Sequence, residues 1–314
     1  MQRRDFLKQS TLTAAALAVA NPADAATQEQ PMRIIDTHVH LWDLTRFRLP
    51  WITKESPLNR SYVMKDYQTA TQGLNVVKGV YMEVDVEVKQ QKDEGDYVLD
   101  ICRRGDTPLA AAVISGRPAD EGFRKYLESF KGNRFLKGVR QVLHVPATPA
   151  GFCTRPEFVR GIRVLEEMGL SFDLCMRPVD LGDAVRLVEM CPKMRFILDH
   201  CGNGPTGART DRTQWQRGMD RLARNQNVMC KISGIVANAR EKWNEDDLAP
   251  VINHSLNAFG PERVMFAGDW PVCTLRATYR RWVEALKNIV RERPAEQQRK
   301  LFHDNAERYY GLRR

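Results

Sequence analysis

Short apolar runs alternate with longer helical segments from residue 34 towards the C-terminus. Eight of these runs have the length and composition of buried strands, over residues 34–40, 77–85, 109–115, 135–143, 170–176, 195–200, 227–233 and 264–269. Between them, apolar residues at three- and four-residue spacing predict amphipathic helices, such as those over 156–168 and 180–190. Eight strand–helix units predict an α/β fold, a single-domain (β/α)₈ TIM barrel. The alternative is a doubly wound open sheet, but no glycine-rich dinucleotide turn follows the first strand.

The first 25 residues follow another pattern and are predicted to lie outside the fold. Arg3 and Arg4 precede Phe6, an apolar run covers residues 10–20, and a small-x-small cleavage site ends at Ala25. This order predicts a twin-arginine signal peptide over 1–25 and a mature domain over 26–314. We therefore expect the twin-arginine export machinery as a partner and a periplasmic or exported location after folding in the cytoplasm. The apolar run is too short to span a bilayer, so we expect no membrane span in the mature chain.

Charge and cysteine content narrow the class of partner. The formal net charge of +9 at pH 7 is spread along the chain and accompanies no nucleic-acid-binding motif. An anionic small-molecule substrate is the simpler explanation for the positive balance. The seven cysteines contain no Cys-x-x-Cys pair, and several fall within apolar runs. We expect buried thiols rather than disulfides.

Polar side chains cluster at the ends of the predicted strands, where TIM barrels carry their chemistry. The first strand ends in His38 and His40, the sixth in His200 and the eighth in Asp269. Strand alternation predicts that Asp36 shares the face of His38 and His40. The second, fourth, fifth and seventh strands add Glu83 and Asp85, Arg140 and His144, Asp173 and Arg177, and Lys231 and Ser233.

Four sequence motifs together resemble the amidohydrolase superfamily, in its amidohydrolase-related lactonase branch. They are Asp36-Thr37-His38-Val39-His40, Leu198-Asp199-His200, Cys230-Lys231-Ile232-Ser233-Gly234 and Phe266-Ala267-Gly268-Asp269-Trp270-Pro271. That branch includes sugar-acid lactonases, 2-pyrone-4,6-dicarboxylate lactonase and sulfomuconolactone hydrolase. The resemblance extends over the whole mature chain and implies hydrolysis of a carboxylic ester.

The resemblance also implies roles for individual residues. His38, His40, His200 and Asp269 match the catalytic positions of the family, and Arg140 matches an arginine that binds a substrate carboxylate. Two-metal members also carry a bridging Lys or Glu on strand four and a histidine on strand five, where this chain has Arg140 and the histidine-free run 173–177. The resemblance therefore implies at most one divalent ion, zinc or manganese. Its ligands would be His38, His40 and Asp269 with Glu83 or His200. Some members of the branch work without metal.

The predicted reaction is attack of water on the carbonyl of a lactone. Asp269 would accept the proton of that water, and the three histidines, or an ion that they hold, would polarise the carbonyl. Arg140 would bind a substrate carboxylate through two hydrogen bonds, with Arg177, Lys231 and His144 as further substrate-binding candidates.

Two other functions remain possible from the sequence. One is a metal-dependent decarboxylase of the same superfamily, and the other is a non-catalytic periplasmic binding protein on a barrel scaffold. The aromatic residues of the first long loop, over 41–65, either form a lid above the site or cover the barrel rim.

Overall fold

The computed structural model describes residues 31–313, and it contains eight parallel strands that lie in sequence order around a barrel. The strands are β1 (Ile34–Val39), β2 (Val76–Met82), β3 (Leu109–Ser115), β4 (Leu136–Val142), β5 (Ser171–Cys175), β6 (Arg195–Leu198), β7 (Val228–Ile232) and β8 (Val264–Phe266). Each strand pairs in parallel with the next. The predicted TIM barrel is therefore confirmed. The predicted signal peptide over 1–25 lies outside the described residues.

Helices connect consecutive strands and continue after the last one. They are α1 (Met64–Thr71), α2 (Gln91–Arg104), α3 (Phe123–Glu128), α4 (Pro156–Glu167), α5 (Leu181–Met190), α6 (Thr213–Ala223), α7 (Glu245–Phe259), α8 (Tyr279–Val290), α9 (Ala295–Arg299) and α10 (Asn305–Tyr310). The helices predicted over 156–168 and 180–190 correspond to α4 and α5. Within residues 31–313, no helix is long and apolar enough to cross a membrane.

Two apolar layers hold the barrel together. Ile34, Val39 and Phe172 belong to the outer layer, which packs strands against helices. Ile35, Val80 and Met265 belong to the smaller inner cluster, which fills the barrel with Tyr310 of α10. All seven cysteines are free and buried, as predicted. Polar side chains are buried above the inner cluster, at the C-terminal ends of the strands.

One local irregularity corrects the prediction that Asp36 shares a face with the histidines. The register between β1 and β2 shifts between Asp36 and Val39, as in a β-bulge. The Asp36 carboxylate accepts hydrogen bonds from Tyr67 of α1 at 3.0 Å and from Tyr279 of α8 at 2.9 Å. Asp36 thus faces the helical layer, whereas His38 faces the barrel interior. Strand alternation alone could not reveal the extra residue.

The first long loop serves in part as a cover of the barrel rim. Trp42 is 1% exposed and Phe47 is 6% exposed, and both belong to the outer apolar layer. Trp51 is different, because it stays 40% exposed and lines the cavity above the strand ends.

Candidate active site

Closure of the barrel places Asp269 beside the two histidines of β1. The His40 backbone N–H donates to the Trp270 carbonyl at 2.8 Å, and the Asp269 N–H donates to the His38 carbonyl at 3.0 Å. Val39 and Trp270 form a parallel bridge between the same segments. The first and last strands of a closed sheet are neighbours, so residues separated by more than 200 positions meet here.

Three ligand-type atoms converge at this junction. The Nε2 atoms of His38 and His40 are 3.1 Å apart. The Oδ1 atom of Asp269 lies 3.5 Å from His40 Nε2 and 3.8 Å from His38 Nε2. His200 completes the cluster, because one ligand atom each of His38, His200 and Asp269 lie within 4.8 Å of one another. The structure therefore brings together all four residues predicted to be catalytic.

Each of the three imidazoles is fixed through its other nitrogen. His38 Nδ1 lies 3.4 Å from Asp199 Oδ1, His40 Nδ1 donates to the Met82 carbonyl at 3.0 Å, and His200 Nδ1 lies 2.9 Å from Ser233 Oγ. Such contacts set the ring orientation and the tautomer. Burial lowers the pKa of both His38 and His200. His38 and His200 are thus held as neutral rings.

Arg140 lies against this cluster but is already held by Glu83. Its Nε atom donates to Glu83 Oε1 at 2.6 Å, and its Nη2 atom donates to the Glu83 carbonyl at 2.7 Å. Its Nη1 atom lies 3.3 Å from His38 Nε2. Nη1 is therefore the nitrogen that stays free of Glu83, so the predicted two-bond grip on a substrate carboxylate requires rearrangement.

The prediction that Glu83 is a metal ligand needs correction. Both of its carboxylate oxygens are occupied, Oε1 by Arg140 and Oε2 by Ser115 Oγ at 3.1 Å and by the Asp85 backbone N–H at 2.7 Å. Burial opposes ionisation of Glu83, but Arg140 outweighs this effect and lowers its pKa. Glu83 is a positioning residue for Arg140.

The prediction that Lys231 binds substrate also needs correction, because Lys231 lies beneath the site and not in the cavity. It is fully buried, forms an ion pair with Asp173 at 2.5 Å and lies 3.1 Å from Asp199 Oδ1. Although burial opposes it, Lys231 together with His38 holds the pKa of Asp199 well below its ordinary value. The ammonium group thus stabilises the carboxylate that orients His38. Lys231 does not line the cavity, so its ammonium group does not reach a substrate there.

A cavity of about 670 Å³ opens above the cluster. His40, His200, Asp269 and Arg140 lie at its floor, where they are between 3% and 8% exposed. Arg177 lines the cavity and is held by Asp180 and by the Thr148 carbonyl. His144 lines it too, with Nδ1 3.1 Å from Cys175 Sγ. These two substrate-binding candidates therefore have access to a ligand.

The backbone is strained where the strands deliver their polar side chains. Asp85, His200 and Asp269 have φ values of +50°, +55° and +52°. Residues other than glycine rarely adopt this left-handed conformation, which costs about 1–3 kcal/mol and is concentrated at functional sites. These residues follow the ends of β2, β6 and β8 by two or three positions, and all three line the cavity above the barrel.

Three residues that shape the site were not among the site residues predicted from the sequence. Asp199 orients His38, and its position in the Leu198-Asp199-His200 motif was the available signal. Gly234 has a φ of +69°, and a Cβ atom there would lie 2.3 Å from His200 Cγ. Trp51 lines the cavity from the first loop. The contacts of Gly234 and Trp51 depend on the folded structure and cannot be predicted from residue type alone.

The donor set fits one divalent cation. The separations of 3.1–3.8 Å among His38 Nε2, His40 Nε2 and Asp269 Oδ1 match neighbouring ligands around an ion with bonds of about 2.0–2.2 Å. Among the described residues of the cluster, four carboxylates are buried, Glu83, Asp173, Asp199 and Asp269, against two buried cations, Arg140 and Lys231. Positive charge would offset this imbalance.

Comparison with known proteins agrees with the geometry. The amidohydrolase family model matches residues 35–312. An L-fucono-1,5-lactonase from Burkholderia multivorans is 27% identical over 270 residues, which cover 80% of this chain and 88% of that protein. The crystal structure of an amidohydrolase from Burkholderia multivorans with bound zinc has a TM-score of 0.80 and 25% identity, and the match covers 90% of this chain and 100% of that one.

The predicted decarboxylase alternative has weaker support. A 2,6-dihydroxybenzoate decarboxylase matches with a TM-score of 0.63 over 89% of this chain and 99% of its own, but only 12% of residues are identical. That likeness extends to the fold alone. The amidohydrolase family model matches nearly the whole barrel, and this match shows the family of the chain. The chain belongs to the amidohydrolase family.

Proposed function

We propose that the protein is a hydrolase that opens a carboxylated or sugar-acid lactone by attack of water on the ring ester. The proposal rests on the meeting of the Asp269 carboxylate with three fixed imidazoles, of which His40 and His200 lie at the floor of an open cavity and His38 is buried beside them. A lactonase relative that aligns over most of the chain supports the same reaction class.

We propose that Asp269 moves the proton. In the proposed reaction its carboxylate takes a proton from water while the water oxygen attacks the carbonyl carbon. The ring C–O bond then breaks, and the proton passes from Asp269 to the departing alkoxide. His200 lines the same floor, and the tautomer whose Nδ1 accepts from Ser233 would donate its Nε2–H to the carbonyl oxygen as negative charge develops there. His40 donates from Nδ1 to the Met82 carbonyl, so its Nε2 atom carries a lone pair and would act through a bound ion.

We propose His38, His40, His200 and Asp269 as the ligands of one divalent ion, with zinc or manganese as candidates. The amidohydrolase structure with bound zinc supports a divalent ion, and the proposed ligands rest on the distances in this chain. When bound, such an ion would polarise a carbonyl and make bound water more acidic. Arg140 Nη1 would give up its 3.3 Å contact with His38 Nε2 once that nitrogen becomes a ligand.

Arg140 and Arg177 are the proposed binding groups for a substrate carboxylate. Arg140 offers Nη1 at the floor, and Arg177 offers its guanidinium from the wall of the cavity. A carboxylate bound to either would hold the ring ester above Asp269. This positioning lowers the entropic part of the barrier.

A panel of lactones assayed with a pH indicator, with and without zinc or manganese, tests the function. Release of one acid per lactone consumed is the expected result. Binding of lactones without turnover, in every metal condition, would identify a binding protein instead.

We further propose that the chain is exported after folding, because Arg3 and Arg4 precede an apolar run and a cleavage site. Fractionation of cells that express the full chain should recover the shortened protein outside the inner membrane. Replacement of both arginines, Arg3→Lys with Arg4→Lys, should retain the full-length chain in the cytoplasm. Equal export of both chains would contradict this proposal.

A further inference from the structure

The cavity above the active site has an apolar wall. Its floor is formed by His40, His200, Asp269 and Arg140, but most of the surface above them is hydrocarbon. The larger apolar side chains come from four separate loops or strand ends, and they include Trp51, Val84, Val142, Val145, Val272 and Leu275. A ligand that fills this volume meets polar groups at one end and apolar surface around the rest.

Trp51 is the largest of these side chains and is held in a fixed position. Its indole Nε1 donates to the Val84 carbonyl at 2.7 Å, and its ring packs edge-on against Trp42 at 5.7 Å. Because the indole has a single N–H, this bond leaves Trp51 no donor for a ligand. Yet the side chain is 40% exposed. It therefore offers a ligand only the carbon surface of a rigid ring.

Several polar side chains of the wall are already engaged. Asp85 accepts from Arg117 at 3.0 Å, and Asn203 Nδ2 donates to the Met176 carbonyl at 2.8 Å. Among the described residues of the wall, the uncharged groups that a hydroxyl group could meet are the side chains of Thr206 and Asn238, Asn203 Oδ1 and His144 Nε2. A polyhydroxylated ring needs a partner for each buried hydroxyl, since unpaired polar groups are costly to bury.

We propose that this chain prefers lactones that combine a carboxylate with an apolar ring or hydrocarbon substituent over polyhydroxylated sugar lactones. The inference rests on the lactone hydrolysis proposed above and narrows its substrate class. The Trp51 ring covers the apolar part of the substrate, while Arg140 and Arg177 meet the carboxylate. Trp51 is thereby a specificity-determining residue.

Two carboxylated lactones of equal ring size provide the test, one with an alkyl or aryl substituent and one with hydroxyl groups. We expect kcat/KM to favour the apolar lactone by about tenfold or more, the range of a hydrophobic pocket. Trp51→Ala should raise KM for the apolar lactone by about tenfold and change kcat little. Met190→Ala is the matched control, because Met190 is 44% exposed and does not line the cavity. It should leave both substrates unaffected.

Calorimetric binding of the two corresponding hydroxy acids gives a readout that needs no turnover. We expect the apolar acid to bind more tightly, and Trp51→Ala to abolish the difference. Equal or tighter binding of the polyhydroxylated acid would overturn the inference, as would an equal effect of Trp51→Ala on both acids. If neither lactone is hydrolysed but the apolar acid binds through Trp51, the proposed function fails and the substrate class stands. If the sugar lactone is the better substrate, the proposed lactone hydrolysis stands and the inferred substrate class fails.

Discussion

At the scale of single residues, the two ring nitrogens of His38 make different contacts and have different roles. Its Nδ1 atom faces Asp199 at 3.4 Å and Lys231 Nζ at 3.5 Å, in the interior of the barrel. Its Nε2 atom faces His40 and Asp269, towards the cavity floor. The inner contact fixes the ring so that the outer nitrogen keeps its lone pair for chemistry. Asp199 and Lys231 therefore act through His38 and not on a substrate.

Asp269→Asn tests the proposed general base. An amide cannot accept the proton of the attacking water, so kcat should fall by about 10²–10⁴-fold. The substitution keeps size and shape, so the circular dichroism spectrum should not change. Asp106→Asn, at an exposed site with a side chain 64% accessible, is the control and should retain full activity. Near-normal turnover by Asp269→Asn would remove Asp269 from its proposed role.

Gly234→Ala tests whether the position of His200 matters. The new Cβ atom would overlap the imidazole, whose Cγ and Nδ1 lie at 2.3 and 2.4 Å, so the ring must move. We expect activity to fall by about 10–100-fold, as when a ligand loses its outer support. Gly105→Ala is a matched control because Gly105 has a similar φ of +70° but nothing within 4 Å of the added atom. Equal activity in the two variants would show that backbone strain, and not displacement of His200, is the cause of any loss.

At the scale of elements, the apolar pattern predicted all eight strands, but not the places where they end. The runs over 77–85 and 264–269 extend beyond β2 and β8, and they end at residues with left-handed backbone, Asp85 and Asp269. The bulge in β1 likewise reversed the orientation of Asp36. Strand existence follows from local hydrophobicity, whereas these departures depend on contacts with distant segments. They fall at the active site, where local rules are expected to fail.

The junction of β2 with α2 contains a buried acid that should make stability depend on pH. Glu94 of α2 accepts hydrogen bonds from Tyr81 at 2.9 Å and from the Val84 N–H at 2.7 Å. Burial, reinforced by the negative charge of Glu83, raises the pKa of Glu94 from 4.5 to about 8. The folded protein then binds a proton that the unfolded chain has released. The free energy of unfolding should fall as pH rises from 4.5 to 8 and level off above it.

Glu94→Gln should remove this contribution, because the neutral amide can still accept both hydrogen bonds. Denaturant midpoints measured at several pH values across that range provide the comparison. We expect a flatter profile for the variant and higher stability than the natural protein at the alkaline end. Parallel profiles for the two proteins would show that Glu94 is ionised in the fold.

At the scale of the whole molecule, the sequence was sufficient to predict the barrel, the family and the group of His38, His40, His200 and Asp269. It could not separate substrate contacts from internal supports. Arg140, Lys231 and Glu83 all lie at strand ends with suitable charge, but the depth of each depends on packing. Only the ion-pair distances revealed that Lys231 supports Asp199 and that Glu83 holds Arg140.

Metal removal should change both stability and activity of the whole barrel. The proposed ligands come from β1, the segment after β6 and the segment after β8, so an ion would link the two ends of the sheet. We expect one zinc or manganese per chain and a higher Tm with metal than after chelation. His200→Ala should weaken binding in calorimetry. Full activity and unchanged Tm in thoroughly chelated protein would contradict the proposed ion while leaving the imidazole cluster as the polarising group.

The fate of the attacking oxygen tests lactone hydrolysis most directly. The purified protein is incubated with a carboxylated lactone in water enriched in heavy oxygen, and the product is analysed by mass spectrometry. We expect a hydroxy acid that has gained one water, with the label in the newly formed carboxylate, and formation of this product about 10²–10⁴-fold more slowly with Asp269→Asn. Release of carbon dioxide, a label on the alcohol oxygen or an equal rate of product formation by Asp269→Asn would contradict lactone hydrolysis with Asp269 as the base.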